Sequence, residues 1–124
     1  MSNAPVSMKQ GDSIAAYRIV RVTSANTVAL TSALTDVPFG VTLDSANSTN
    51  QYVPVAIAGI AKVYCNDSIA AGGLVGTDAT GRGVPYVVIS TGSYFVGINI
   101  GPKVNATGAL AEILIRPTFT AAGA

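Results

Sequence analysis

Five residues, Asp12-Ser13-Ile14-Ala15-Ala16, recur unchanged as Asp67-Ser68-Ile69-Ala70-Ala71. Self-similarity of this kind constrains the architecture before any local propensity does, because each copy of a repeat has to build the same supersecondary unit. The match extends past the pentamer. Ile19-Val20 falls on Leu74-Val75 at the same offset, and Gly40-Val41-Thr42-Leu43 falls on Gly97-Ile98-Asn99-Ile100 at a slightly longer one. The slip belongs in a surface loop, where insertions are tolerated. The pattern predicts two tandem pseudo-repeats, residues 11–63 and 66–117, inside a single domain spanning 11–117. A chain of 124 residues has the length of one ordinary domain.

The local patterns are those of strands. Residues 18–22 (Arg-Ile-Val-Arg-Val) are rich in β-branched side chains, Ser24-Ala25-Asn26 breaks them, and residues 27–30 resume, which reads as a hairpin. In residues 37–43, Phe39, Val41 and Leu43 alternate with smaller residues, the period of a half-buried strand, and Pro38 puts the segment at a strand start or an edge. Residues 52–64 form the longest strand region, with Gly59 marking a bulge or a close backbone approach. In the second half, strands are predicted at 74–77, 85–89, 94–100 and 109–116, the last stopped by Pro117. No segment keeps a helical period over three turns. Short strands at this spacing predict an all-β sandwich or barrel. Residues 1–10 carry Pro5 and small polar residues without periodicity and read as an extended, flexible N-terminal arm; residues 118–124 read as a C-terminal tail.

Composition narrows the function classes. Only 10% of the residues are charged, against about 25% in ordinary globular proteins, while 49% are hydrophobic. Mean hydropathy is +0.48. A small domain has too much surface to hide that composition inside itself, so part of its apolar surface is expected to meet another protein chain. A stretch without charge runs from Arg82 to Lys103, but its glycines, Pro85 and polar residues read as two strands and a turn rather than as a membrane helix. The first ten residues lack the apolar core of a signal peptide, and a soluble, non-secreted protein is expected. A net charge of +1 with scattered Lys and Arg argues against nucleic acid as a partner.

Residues that carry chemistry are scarce. The chain has no His, which removes the usual general base and metal ligand. The lone Cys65 lies in a strand-like context and reads as a small core residue. Asp12 and Asp67 hold equivalent repeat positions, where a carboxylate accepts backbone N–H bonds in a turn. That structural role accounts for both without a catalytic dyad. Gly72-Gly73-Leu74-Val75-Gly76 lacks the Gly-Lys-Ser/Thr ending of a phosphate loop, and Asp78-Ala79-Thr80-Gly81 lacks the alternating ligands of a calcium loop. Five Tyr and three Phe without clustered cations read as core and interface residues, not as a stacking platform. No catalytic, cofactor-binding or metal-binding residue is expected.

Residues 55–63 (Val-Ala-Ile-Ala-Gly-Ile-Ala-Lys-Val), followed by Ile69-Ala70-Ala71-Gly72-Gly73-Leu74-Val75-Gly76-Thr77 and the Gly81 turn, resemble the tailed-bacteriophage capsid decoration, or cement, proteins. In that family a strand reading V-x-V-x-G-I-x-x-V precedes I-x-A-G-x-L-V and a Gly-bearing turn. The likeness covers about residues 55–84. It implies a compact all-β body of β-tulip type, a homotrimer, and a place on the outer surface of the virion head at three-fold or quasi-three-fold points, with the major capsid protein as partner. It implies no enzyme activity and no cofactor. Many such proteins use an N-terminal arm, which here would bring Ser2, Asn3, Ala4, Pro5, Val6, Ser7, Met8 and Lys9 to the capsid. Two other readings stand beside it: a β-clip (antifreeze-like) module binding a sugar or other ligand, to which D-S-I-A-A-x-x-L-V is also similar, and a virion fibre or knob domain binding a receptor.

Overall fold

The computed structural model describes residues 5–11, 14–32, 36–45, 51–78, 80–86, 93–104 and 108–120, with the backbone alone at 93 and 117–120. These residues form strands and no helix: β1 Val6–Gln10, β2 Ile19–Ser24, β3 Thr27–Leu30, β4 Gly40–Thr42, β5 Tyr52–Ala56, β6 Ile60–Tyr64, β7 Leu74–Thr77, β8 Gly83–Pro85, β9 Ser93–Asn99 and β10 Leu110–Thr120. The all-β class predicted from the strand patterns is the one observed.

Two units divide the chain between them. β1 to β5 close a barrel in the order β1-β3-β2-β4-β5, with β1 parallel to β3 and antiparallel to β5. β6 to β10 form a five-stranded sheet in the order β6-β10-β9-β7-β8, whose two edges touch at a parallel bridge between Cys65 and Gly83. The two orders follow one wiring. Val20 opposite Leu30 in the β2–β3 hairpin corresponds to Val75 opposite Pro85 in β7–β8. Ile19 opposite Val41 corresponds to Leu74 opposite Ile98. Val41 opposite Ala56 corresponds to Ile98 opposite Leu114, and Met8 opposite Val53 to Val63 opposite Ala111. The parallel pair Gln10–Val28 corresponds to the Cys65–Gly83 bridge.

Backbone details repeat with the wiring. Tyr17 N–H donates to Thr42 O at 2.8 Å, and Gly72 N–H donates to Asn99 O at 2.7 Å. Tyr17 and Gly72 both take a left-handed conformation, φ 65° and 77°. Close approach explains the matched glycines 40 and 97. A Cβ on Gly40 would lie 2.3 Å from Ala56 O, and one on Gly97 would lie 2.1 Å from Leu114 O, so only hydrogen fits at either crossing.

Inside the barrel, Met8, Ile14, Val20, Val28, Val53 and Val55 are buried together. Burying a Val or Ile side chain contributes roughly 1.5–3 kcal/mol, which is what makes the alternation of these strands decisive. A second core holds Ala61, Val63, Cys65, Ile69, Val75, Val96, Val104, Ala111, Ile113 and Ile115 from the second unit. Ile19, Val41 and Ala56, from the outer side of the barrel, join it. The second unit therefore packs on one outer face of the first.

Four sequence expectations need correction. The flexible arm at 1–10 is a barrel strand from Val6 onward, with Met8 and Gln10 buried and four residues registered against β5. Hydrogen bonding to two neighbours outweighs the weak intrinsic preference of the segment. The predicted repeat boundaries, 11–63 and 66–117, are one strand out of step: β1 opens the first unit, and β6, assigned to the first half, opens the second. Gly59, φ 79°, lies in the crossing between units rather than in a continuous strand, so the predicted 52–64 region is two strands. The predicted stop at Pro117 is also overrun. β10 continues to Thr120, pairing Thr118, Phe119 and Thr120 with Phe95, Tyr94 and Ser93 after a register shift that leaves Pro117 out of the ladder. The rest of the predicted tail, 121–124, lies outside the described residues.

Candidate functional site

Of the residues predicted to touch a capsid, Ser2, Asn3 and Ala4 lie outside the described residues. Pro5 and Ser7 are exposed, Val6 and Lys9 are half-buried, and Met8 points into the barrel. Met8 is thus a core residue, not a contact. Asp12 lies outside the described residues. Asp67 is exposed, and its Oδ1 accepts the Ser68 N–H at 2.8 Å.

One carboxylate with several partners, Asp78, is one the sequence offered no function for. Asp78 Oδ1 accepts from Thr80 N (2.8 Å), Thr80 Oγ1 (3.2 Å) and Arg82 N (2.9 Å), and Oδ2 accepts from Arg82 Nε at 2.9 Å. Burial works against its charged form. The Thr80 and Arg82 N–H groups and the Arg82 guanidinium outweigh burial and hold the carboxyl below its ordinary range. The result is a fixed turn that presents Gly81, φ 73°, to the first unit. Gly81 O accepts the Ile19 N–H at 2.7 Å, Tyr64 N–H donates to Tyr17 O at 2.9 Å, and the hydroxyls of Thr31 and Thr77 are hydrogen-bonded. Arg18 stacks 4.0 Å over the Tyr64 ring. This is the joint between the units.

The repeated wiring also repeats an exposed apolar pair. Leu43 N–H donates to Pro54 O, which sets Leu43 diagonally beside Tyr52 on the outer face of β5. Ile100 N–H donates to Glu112 O, which sets Ile100 beside Leu110 on β10 in the same way. All four side chains are exposed. The second pair borders a cleft of about 480 Å³ lined by Lys62, Pro102, Lys103, Val104, Ala109, Leu110 and Glu112. A second opening of about 430 Å³, lined by Arg21, Val22, Asp36, Val37, Pro38 and Phe39, sits over β2, with Arg21 Nε 3.5 Å from Asp36 Oδ2. Surface of this kind binds by shape and apolar area with a polar rim, not by proton transfer. The sequence signal that could have found these positions was the repeat itself: Leu43 and Ile100 are the matched fourth residues of the Gly40 and Gly97 phrases.

Cys65 is buried, and burial pushes its thiol up, with the Ala111 backbone contact opposing; its Sγ lies 3.4 Å from Val63 O. The core role expected of it is the one it has. Among the described residues no group of three or more His, Cys, Asp or Glu is placed to hold a metal ion. No helix there is long and apolar enough to cross a membrane.

No protein-family model matches this chain, and no curated protein matches it by sequence. Among solved structures it is similar to the N base of the head fibre gp8.5 of bacteriophage phi29. The TM-score is 0.71 at 17% identity, over 90% of this chain and 92% of that one. At that identity the likeness is one of fold, and it extends over both units.

Proposed function

We propose that this chain is a protein of a tailed-phage head that binds the outer surface of the capsid as a homotrimer, at three-fold or quasi-three-fold points, and stabilises the shell. One observation carries the reading: the whole two-unit body has the fold of the base of a phage head fibre. The decoration-protein resemblance at residues 55–84 points to the same structure of the virion. Low charge and the exposed Leu43/Tyr52 and Ile100/Leu110 pairs suit a lasting contact with the major capsid protein. Three rigidly linked subunits bind with high effective concentration once the first is seated, so modest single contacts suffice. The shared wiring also supports descent of the two units from a duplicated one.

The test is to add purified protein to undecorated heads, then follow co-sedimentation and the temperature of DNA release. Binding with a raised release temperature supports the proposal; failure to co-sediment removes it. The fold match favours one further reading, in which the body is the base that seats a fibre rather than a cement. Electron microscopy of decorated heads separates the two, since a base leaves its outer end available to a distal partner.

A further inference from the structure

The two units share one wiring but not one environment. In the first, Ile19, Val41 and Ala56 stand opposite one another across β2, β4 and β5 on the outside of the barrel. All three are buried, because the second unit covers them. The corresponding row of the second unit is Leu74, Ile98 and Leu114 across β7, β9 and β10, extended by Ile60 opposite Leu114. Ile98 and Leu114 are half-buried, Leu74 is 36% exposed and Ile60 is 61% exposed. The Leu74, Ile98 and Leu114 row is thus partly open where its counterpart is core, and the exposed Ile60 carries it on to a fourth strand. One edge of it is flanked by the cross-strand pair Lys62–Glu112, the charged rim of an interface patch.

We propose that this row is covered by the first unit of a second copy of the chain, repeating between molecules the joint seen within one. The occupant follows from the internal joint, where the same row is covered by a unit of the same wiring. Most of the row packs into the core of the second unit, and at its Ile19 end the parts in contact are Thr77 and the Gly81 turn, against Thr31 and Ile19. Their counterparts on the first unit are Val22, 48% exposed, and the exposed Asn26, φ 55°, which takes the left-handed conformation that Gly81 takes. Val22 and Asn26 of one copy therefore meet Tyr86 and Leu74 of the next. Such a contact is head-to-tail, and it closes into a ring only if the rotation between copies permits. With three copies the ring holds six units. The ring size rests on the homotrimer reading; the contact itself rests only on the strand correspondence.

The experiment is sedimentation of the full chain and two variants, one per face. Ile60→Glu with Leu74→Glu alters the row, and Val22→Glu alters the opposing turn. The expected result is a trimer for the parent and folded monomers for each variant, each still unfolding in a cooperative thermal transition, at a lower temperature than the trimer. An equimolar mixture of the two variants forms one-to-one dimers, because a single junction is intact. Variants that stay trimeric, or a mixture that stays monomeric, overturn the proposal. If a glutamate variant unfolds, Val22→Cys with Tyr86→Cys replaces it: oxidation cross-links chains into a closed trimer if the contact exists, and leaves single chains if it does not. Head binding by a variant that remains trimeric would reject this interface while leaving the capsid reading standing.

Discussion

Ile19 and Leu74 hold the same station in two copies of one wiring, yet Ile19 is fully buried and Leu74 is not. The strand pairs around them match residue for residue, so the difference does not come from secondary structure. It comes from what each unit finds on its outer face. A sheet face that reads as surface in one unit becomes core in the other when a partner arrives, and apolar residues at both stations are what make that exchange possible. The fold is thus settled locally by hydrogen-bond register and globally by which faces are covered.

The comparison is broken most severely at the two crossings it has in common. Gly40→Ala and Gly97→Ala each drive a methyl group into a carbonyl oxygen, at Ala56 and at Leu114. Backbone cannot yield as a side chain does, so each is expected to cost about 3 kcal/mol or more, read by chemical denaturation. Equal losses at the two sites would show that the crossings carry equal weight. Harmless substitution at either would mean that the close approach is not required there.

The next effect separates the units instead of equating them. Ile19→Ala empties a buried site and is expected to cost about 2–4 kcal/mol, whereas Leu74→Ala in the monomer costs less than about 1 kcal/mol. Similar costs at both stations would contradict the difference in cover described above.

Asp78 sharpens the role of the joint. Asp78→Ala removes the acceptor for two backbone N–H groups and one guanidinium, an expected loss of about 1–2 kcal/mol at neutral pH. The wild-type carboxyl is held below its ordinary range, so its contribution is present above the unfolded-state pKa, about 3.9, and is lost as pH falls through the lower folded value. Denaturation midpoints of the two proteins should therefore converge in acid. A gap between them that persists unchanged at low pH would deny the carboxylate its part. Cys65→Ser exchanges a buried thiol for a hydroxyl beside Val63 O at about 1 kcal/mol, with head binding unaffected.

Much of this was legible in the residues. The Gly40 and Gly97 phrases located two strands with matched pairing, because the same close backbone approach selects glycine at both. The hairpin around Asn26 was legible from turn chemistry. β1 was not. Val6, Met8 and Gln10 do alternate, but a polar Gln at the third inward position and a preceding Pro mask the period. Only the structure reveals that Gln10 Oε1 accepts the Ile14 N–H inside the barrel. The end of β10 was missed for a related reason. Proline forbids one ladder bond, not a strand, and a register shift accommodates it. The exposed pairs Leu43/Tyr52 and Ile100/Leu110 could not be told from core residues by alternation alone, since which face is covered is a tertiary fact.

The place of β1 in the barrel also limits what an N-terminal truncation can test. Deleting residues 1–9 removes most of a barrel strand and should unfold the first unit, so only deletion of residues 1–4 tests an arm. The central claim, that this body decorates the outside of a phage head, is tested most directly by a cryo-electron reconstruction of heads incubated with the protein. The account predicts density outside the shell at three-fold or quasi-three-fold points, resolved as a ring of six similar β-bodies contributed by three chains. Shells that show no added density, or density confined to other symmetry positions, would contradict it.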